Sequence, residues 1–187
     1  MNNIIKNHIN NHINRFKYIP VSIFVSVSLF SICLFYLTSL IKVIPCGKDI
    51  LSNFYSNFTH VDIFHLIGNL SGLYVLSRVE QNIGSKNFIK LLVFLLVFNT
   101  ITETIMHKIM PSTTCSIGFS GVLFGIATWE IITTQQVDYA AVLAIIFSAI
   151  RPTVNQIKTS ISGHVIGAIG GIISGIIWSM MYKNRFT

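Results

Sequence analysis

Long apolar runs separated by short polar segments dominate this chain. They lie at about Tyr18 to Ile41, Asp62 to Val79, Phe88 to Met106, Ile117 to Thr134, Val137 to Ile150 and Ser160 to Tyr182. All but the fifth approach or exceed the ~20 residues that a helix needs to cross the ~30 Å hydrocarbon core of a bilayer. The fifth run has fourteen residues. As a helix it covers only about 21 Å, so it is expected to be short, displaced or bordered by thinned lipid. Pro20 suits the opening turn of the first helix, where its missing N–H costs no intrahelical bond. Arg151-Pro152 ends the fifth.

This pattern predicts an all-α polytopic membrane protein. A six-transmembrane-helix bundle occupies residues 18–182, between short tails at 1–17 and 183–187. Composition agrees: 52% of residues are hydrophobic, 10% are charged and the mean hydropathy is +0.67, whereas soluble domains are about 25% charged. The first apolar run is too long for the ~7 to 15 residue core of a cleavable signal peptide, and no small-residue cleavage site follows it, so a retained helix is expected.

With the amino terminus in the cytoplasm, the inner side holds Lys6, Arg15, Lys17, Arg78, Lys86, Lys90, Lys183 and Arg185. The outer side holds Lys42, Lys48, Lys108, Arg151 and Lys158. The bias places both termini inside. The formal charge of +7 is then largely topological. Outside the membrane there is no basic patch interleaved with stacking aromatics, so nucleic acid is not an expected partner. Of the cysteines, Cys33 lies in the first helix, while Cys46 and Cys115 share the outer side. A Cys46–Cys115 disulfide is open on this topology; free thiols are the expectation.

Four polar strings interrupt the apolar helices at matching depth. They are His60-x4-His65-x3-Asn69, Glu80-x3-Gly84 just after the second run, Gly118-Phe119-Ser120-Gly121, and Gly163-His164 followed by Gly167 and Gly171. Polar side chains inside a bilayer are costly unless they pair or line a wet cavity, so their convergence marks a functional site. The second, fourth and sixth helices all start at the outer face. Ser120 is expected roughly 5 Å below Ile117 and His164 roughly 6 Å below Ser160. His65 and Asn69, four apart, share a helical face. The odd-numbered helices are expected to carry no comparable set at that level. Glycines repeat every four residues at Gly163, Gly167, Gly171 and Gly175, and at Gly121 and Gly125. Such stripes let two backbones approach closely in lipid, which a serine and an imidazole on separate helices require if they are to meet.

These four strings, in this order, resemble the rhomboid family of intramembrane serine proteases over residues 18 to 182. The resemblance implies that Ser120 is a nucleophile and His164 its general base, with no third acid. It implies an oxyanion hole made by His65, Asn69 and the backbone N–H of Ser120. His60, Glu80, Gly84, Gly118, Gly121, Gly163, Gly167 and Gly171 become structural supports. Substrates are transmembrane segments of other proteins, cut near the outer face, and neither cofactor nor metal is expected. The first outer loop, about residues 42 to 60, lacks the Trp-Arg pair found in many members. No seventh span is evident. The short fifth helix matches in position an element thought to gate lateral admission of substrate, and loop residues 151 to 159 would cap the site. Asn53, Ser56, Asn57, Thr59 and His60, opposite Ser112, Thr113, Thr114 and Ser116, could line a wet cavity. Two rival readings stand beside this one: an inactive rhomboid-like chaperone or degradation adaptor, and a metal transporter using His60, His65 and His164.

Overall fold

The structure is a computed structural model and describes residues 20–38, 49–110, 116–139, 142–143 and 161–182. Among these residues there are six helices and no strand: α1 (Val21–Leu37), α2 (Ile50–Ser56), α3 (Ile63–Ile83), α4 (Ser85–Ile109), α5 (Ser120–Thr134) and α6 (Ile161–Tyr182). Most of the expected fifth span, 137–150, the tails 1–17 and 183–187, Cys46, Cys115, Ser112 to Thr114 and the loop 151 to 159 lie outside the described residues.

Several boundaries differ from those read off the hydropathy. The region expected as a plain outer loop contains α2, which starts because the Asp49 side chain caps it, accepting from Ser52 N at 2.8 Å. Asp62 caps α3 in the same way, accepting from His65 N at 2.9 Å. An aspartate at this position satisfies an N–H that has no intrahelical partner. α3 continues four residues past Val79, so Glu80 sits in its last turn rather than after it. Gly84, with φ +80°, both ends α3 and begins α4. A side chain there would meet nothing within 4 Å, so the requirement for glycine is purely conformational. α5 begins at Ser120, not at Ile117, which puts Ser120 at the first helical position instead of a turn inside.

Polarity is distributed inside out. Asn53, His60, His65, Asn69, Asn99, Thr100, Glu103 and Ser120 are buried, while Phe24, Phe64, Val93, Val97, Ile105, Ile161 and Ile176 are exposed. That distribution would be unstable in water and is the expected one in lipid. By length and composition, Ser85–Ile109 and Ile161–Met181 can cross a membrane, and Val21–Phe35 and Ser120–Thr134 are shorter apolar helices. The dry core runs through Leu66, Leu73 and Leu76 of α3, Phe88, Leu91 and Leu95 of α4, and Val122, Leu123 and Ile126 of α5.

Two charged groups tie the helix ends together. The Arg78 guanidinium of α3 donates to both Glu130 carboxylate oxygens of α5, at 2.9 and 2.7 Å, and also pairs with Asp138. This bidentate geometry is the strongest form of such a contact. Glu80 caps a helix other than its own. Its carboxylate accepts from Val21 N at 2.7 Å, Ser22 N at 2.9 Å and Ser85 Oγ at 2.6 Å. The free N–H groups of α1 are thus satisfied from α3. Glu80→Ala leaves these donors, of which Ser22 N is buried, without their acceptor and is expected to cost about 2 to 4 kcal/mol, read as a lowered thermal midpoint in detergent micelles. A midpoint equal to wild type would show that α1 does not depend on this cap.

Candidate active site

α5 and α6 form the most extensive helix pair among the described residues, and glycine explains why. A Cβ at Gly121 would stand 3.0 Å from the Gly163 carbonyl oxygen, and one at Gly125 the same distance from that of Gly167. A Cβ at Gly167 would overlap the Gly121 carbonyl, and one at Gly171 that of Gly125. The Thr128 hydroxyl adds a bond across the pair to the Ala168 carbonyl at 3.0 Å. At this separation short side chains from the two helices can touch.

Two of them do. Ser120 Oγ lies 2.8 Å from His164 Nε2. Ser120 is 4% exposed, and its helix begins there without a side-chain cap, since Phe119 at the cap position makes no such bond. The first N–H groups of α5 therefore have no intrahelical acceptor and give that end a partial positive charge. His164, in the first turn of α6, stacks on Phe124 with ring centroids 4.6 Å apart and planes at 16°. The stack fixes the plane of the imidazole. Phe124 was missed in the sequence; its one signal is the four-residue spacing from Ser120, which puts both on one helical face.

The segment of backbone entering α5 is shaped by Gly118, with φ +108°. A Cβ there would fall 2.5 Å from His65 Cε1 and 2.7 Å from His65 Nε2, so the missing side chain lets the His65 ring lie against the chain two residues before Ser120. Gly118 N donates to the Ser56 carbonyl at 2.9 Å, fastening this segment to α2. The His65 ring in turn meets His60 edge-on, centroids 5.1 Å apart. Asn69 is fully buried and donates from Nδ2 to the His65 carbonyl at 2.8 Å. Its Oδ1 has no hydrogen-bond partner among the described residues. Such an unsatisfied acceptor is unusual in a packed interior.

α4 overturns the expectation that odd-numbered spans bring nothing polar to this level. Asn99, Thr100 and Glu103 are 2%, 4% and 5% exposed. Asn99 Nδ2 approaches Gly121, and Glu103 Oε1 approaches Gly163. The third apolar run hid them because two polar residues per turn in a long apolar helix barely lower its average hydropathy. Glu80, Gly84 and Ser56 support the surrounding helices as described, while Asn57 Nδ2 donates to the Asn53 carbonyl at 2.8 Å and Asn53 Nδ2 to Thr104 Oγ1 at 2.9 Å. Among the described residues no three His, Cys, Asp or Glu side chains come together as a metal-holding group. The three histidines of the transporter reading are divided, with His164 on Ser120 and His60 on His65. Cys33 is a buried free thiol.

An all-helical fold, lipid-facing outside and polar within, with a serine and a histidine joined across a glycine-lined helix pair, defines an integral membrane protein built around a hydrophilic centre. A family model described as the Rhomboid domain matches residues 48–181. The chain is also similar to the curated protein named as a rhomboid, L523, of Acanthamoeba polyphaga mimivirus, with 23% identity over 135 residues, 72% of this chain and 78% of that protein. The chain belongs to the rhomboid family.

Proposed function

We propose that this protein is an intramembrane serine endopeptidase that cuts transmembrane segments of other proteins near the outer face through a Ser120–His164 dyad. The observation that carries the reading is the 2.8 Å contact between Ser120 Oγ and His164 Nε2. For the hydroxyl to donate, Nε2 must be the unprotonated ring nitrogen and Nδ1 must hold the proton. As Oγ bonds to the scissile carbonyl carbon, its proton passes to Nε2. The carbonyl oxygen becomes an oxyanion, which the backbone N–H of Ser120 with His65 and Asn69 would hold. Collapse breaks the C–N bond, and His164 returns the proton to the departing amine. Water then attacks the acyl-serine by the same route, releasing the acid and restoring Oγ–H.

Six spans with both termini inside fit this reading. α5, fifteen residues long, covers about 22 Å of the ~30 Å core. With Thr134 at the inner boundary, its Ser120 end stops about 8 Å short of the outer one. A site sunk to that depth is reached from the lipid by a helix that unwinds near its end. An inactive adaptor on the same fold has no need of a hydroxyl and an imidazole in hydrogen-bond contact, which favours the enzyme.

The test is labelling of the full-length purified protein with a fluorophosphonate, beside a Ser120→Ala control. Labelling of the wild-type chain alone is expected. Equal labelling of both, or of neither when both are folded, would remove Ser120 as nucleophile.

A further inference from the structure

The buried acid on α4 has no part in the chemistry just described, yet it lies against the segment that leads to Ser120 and against the residue before His164. Glu103 is 5% exposed. The Ser116 hydroxyl donates to its carboxyl group. A Cβ at Gly163 would stand 3.1 Å from Glu103 Oε1 and 2.5 Å from Ser116 Oγ. The carboxyl and the Ser116 hydroxyl therefore converge on the space that a side chain at Gly163 would fill. Ser116 lies four residues before Ser120, in the segment that leads into α5, and Gly163 immediately precedes His164 in the first turn of α6. One turn along α4, Asn99 Nδ2 lies 3.0 Å from the Cβ position of Gly121, the residue after Ser120. Asn99 and Glu103 are four apart and share a face, so one side of α4 backs the segment entering α5 and the first turn of α6 together.

Packing alone does not account for an acid here. A carboxyl group buried in a membrane bundle carries a large desolvation cost that an aliphatic residue of the same size avoids. We propose that Glu103 is a positioning residue for the dyad, a polar clamp that holds the segment entering α5 against the first turn of α6 and so sets the Ser120–His164 distance. The proposal rests on the protease reading given above. Glu103 acts through backbone and Ser116, not on the imidazole, so the dyad still has no third member.

The experiment compares full-length wild type, Glu103→Ala and Glu103→Gln, reconstituted in micelles, by fluorophosphonate labelling kinetics resolved into the maximal labelling rate and the half-saturating probe concentration. Glu103→Ala is expected to lower the maximal rate about 10- to 100-fold, the penalty of a reacting pair misplaced by about 1 Å, with half-saturation and thermal midpoint little changed. Glu103→Gln keeps the size of the side chain and an oxygen for the Ser116 hydroxyl, so it is expected to restore most of that rate. A second readout does not depend on turnover. The ¹⁵N signal of His164 Nε2, assigned with His164→Gln, is expected to keep its hydrogen-bonded position in wild type and Glu103→Gln and to lose it in Glu103→Ala. An alanine variant that labels at the wild-type rate would overturn the clamp. So would a glutamine variant as impaired and as thermally destabilised as alanine, since that pattern belongs to packing. If wild type itself does not label, the protease reading fails, and the ¹⁵N comparison alone judges the clamp.

Discussion

Replacing His164 with alanine is expected to slow acylation of Ser120 by about 10⁴- to 10⁶-fold, the range over which a nucleophile and its base act as one unit. The hydroxyl of serine is a poor nucleophile until a base takes its proton, and on the proposed reading His164, whose Nε2 lies 2.8 Å from it, is that base. The double variant Ser120→Ala/His164→Ala is expected to lose no more than either single variant, because each already removes the whole proton-transfer unit. Single-turnover cleavage of a fluorogenic transmembrane peptide measures this. The fold should survive: His164→Ala loses the ring stack on Phe124 and the hydrogen bond to Ser120 but leaves the glycine-lined contact of α5 and α6 in place, and an unchanged circular-dichroism spectrum checks that point. A His164→Ala variant that retains a tenth of wild-type activity would mean that another group, or water alone, accepts the proton.

Gly167→Ala is expected to cost about 3 kcal/mol of stability, and activity with it, although alanine is intrinsically the better helix former by about 1 kcal/mol. The sign turns on what the added methyl group meets. At Gly167 it overlaps the carbonyl group of Gly121, which belongs to the backbone of α5 and cannot rotate away. α6 must then slide outward, carrying His164 from Ser120. Gly170 supplies the contrast on the same helix. A Cβ there would meet Phe98 Cδ1 at 2.8 Å and Leu95 Cδ2 at 3.4 Å, side-chain ends that can give way. Gly170→Ala is therefore expected to stay near wild type. Thermal midpoints and cleavage rates of the two variants, measured side by side, decide the matter; similar losses at both positions would argue that helix–helix distance is not what Gly167 protects.

The sequence was most legible where a property is local or periodic. Apolar length marked the helices, and four-residue glycine spacing marked a close pair, which the structure makes of α5 and α6 through carbonyl contacts at Gly121 and Gly125. Motif order led to the rhomboid family, to which the matched model over residues 48–181 assigns the chain. Boundaries were less legible. Ile117 reads as apolar and helical, but Gly118 has a left-handed backbone that no hydropathy average registers, so the helix waits for Ser120. The outer loop hid α2 because seven residues capped by Asp49 are too few to make a periodic signal.

Alone, then, the sequence pointed to a helical membrane protein of the rhomboid family, with a glycine stripe on each of two helices and a serine and a histidine among the polar groups between apolar runs. The helices and glycine stripes follow from composition and spacing along one helix; the family follows from the resemblance of four motifs in order. Tertiary structure decided which faces meet. It brought Glu80 to the start of α1, 59 residues away, stacked Phe124 on His164, and turned Asn99 and Glu103 inward behind the two arms of the site. Contacts of that kind depend on how helices rotate and cross, and crossing geometry is set by the joint packing of all their side chains.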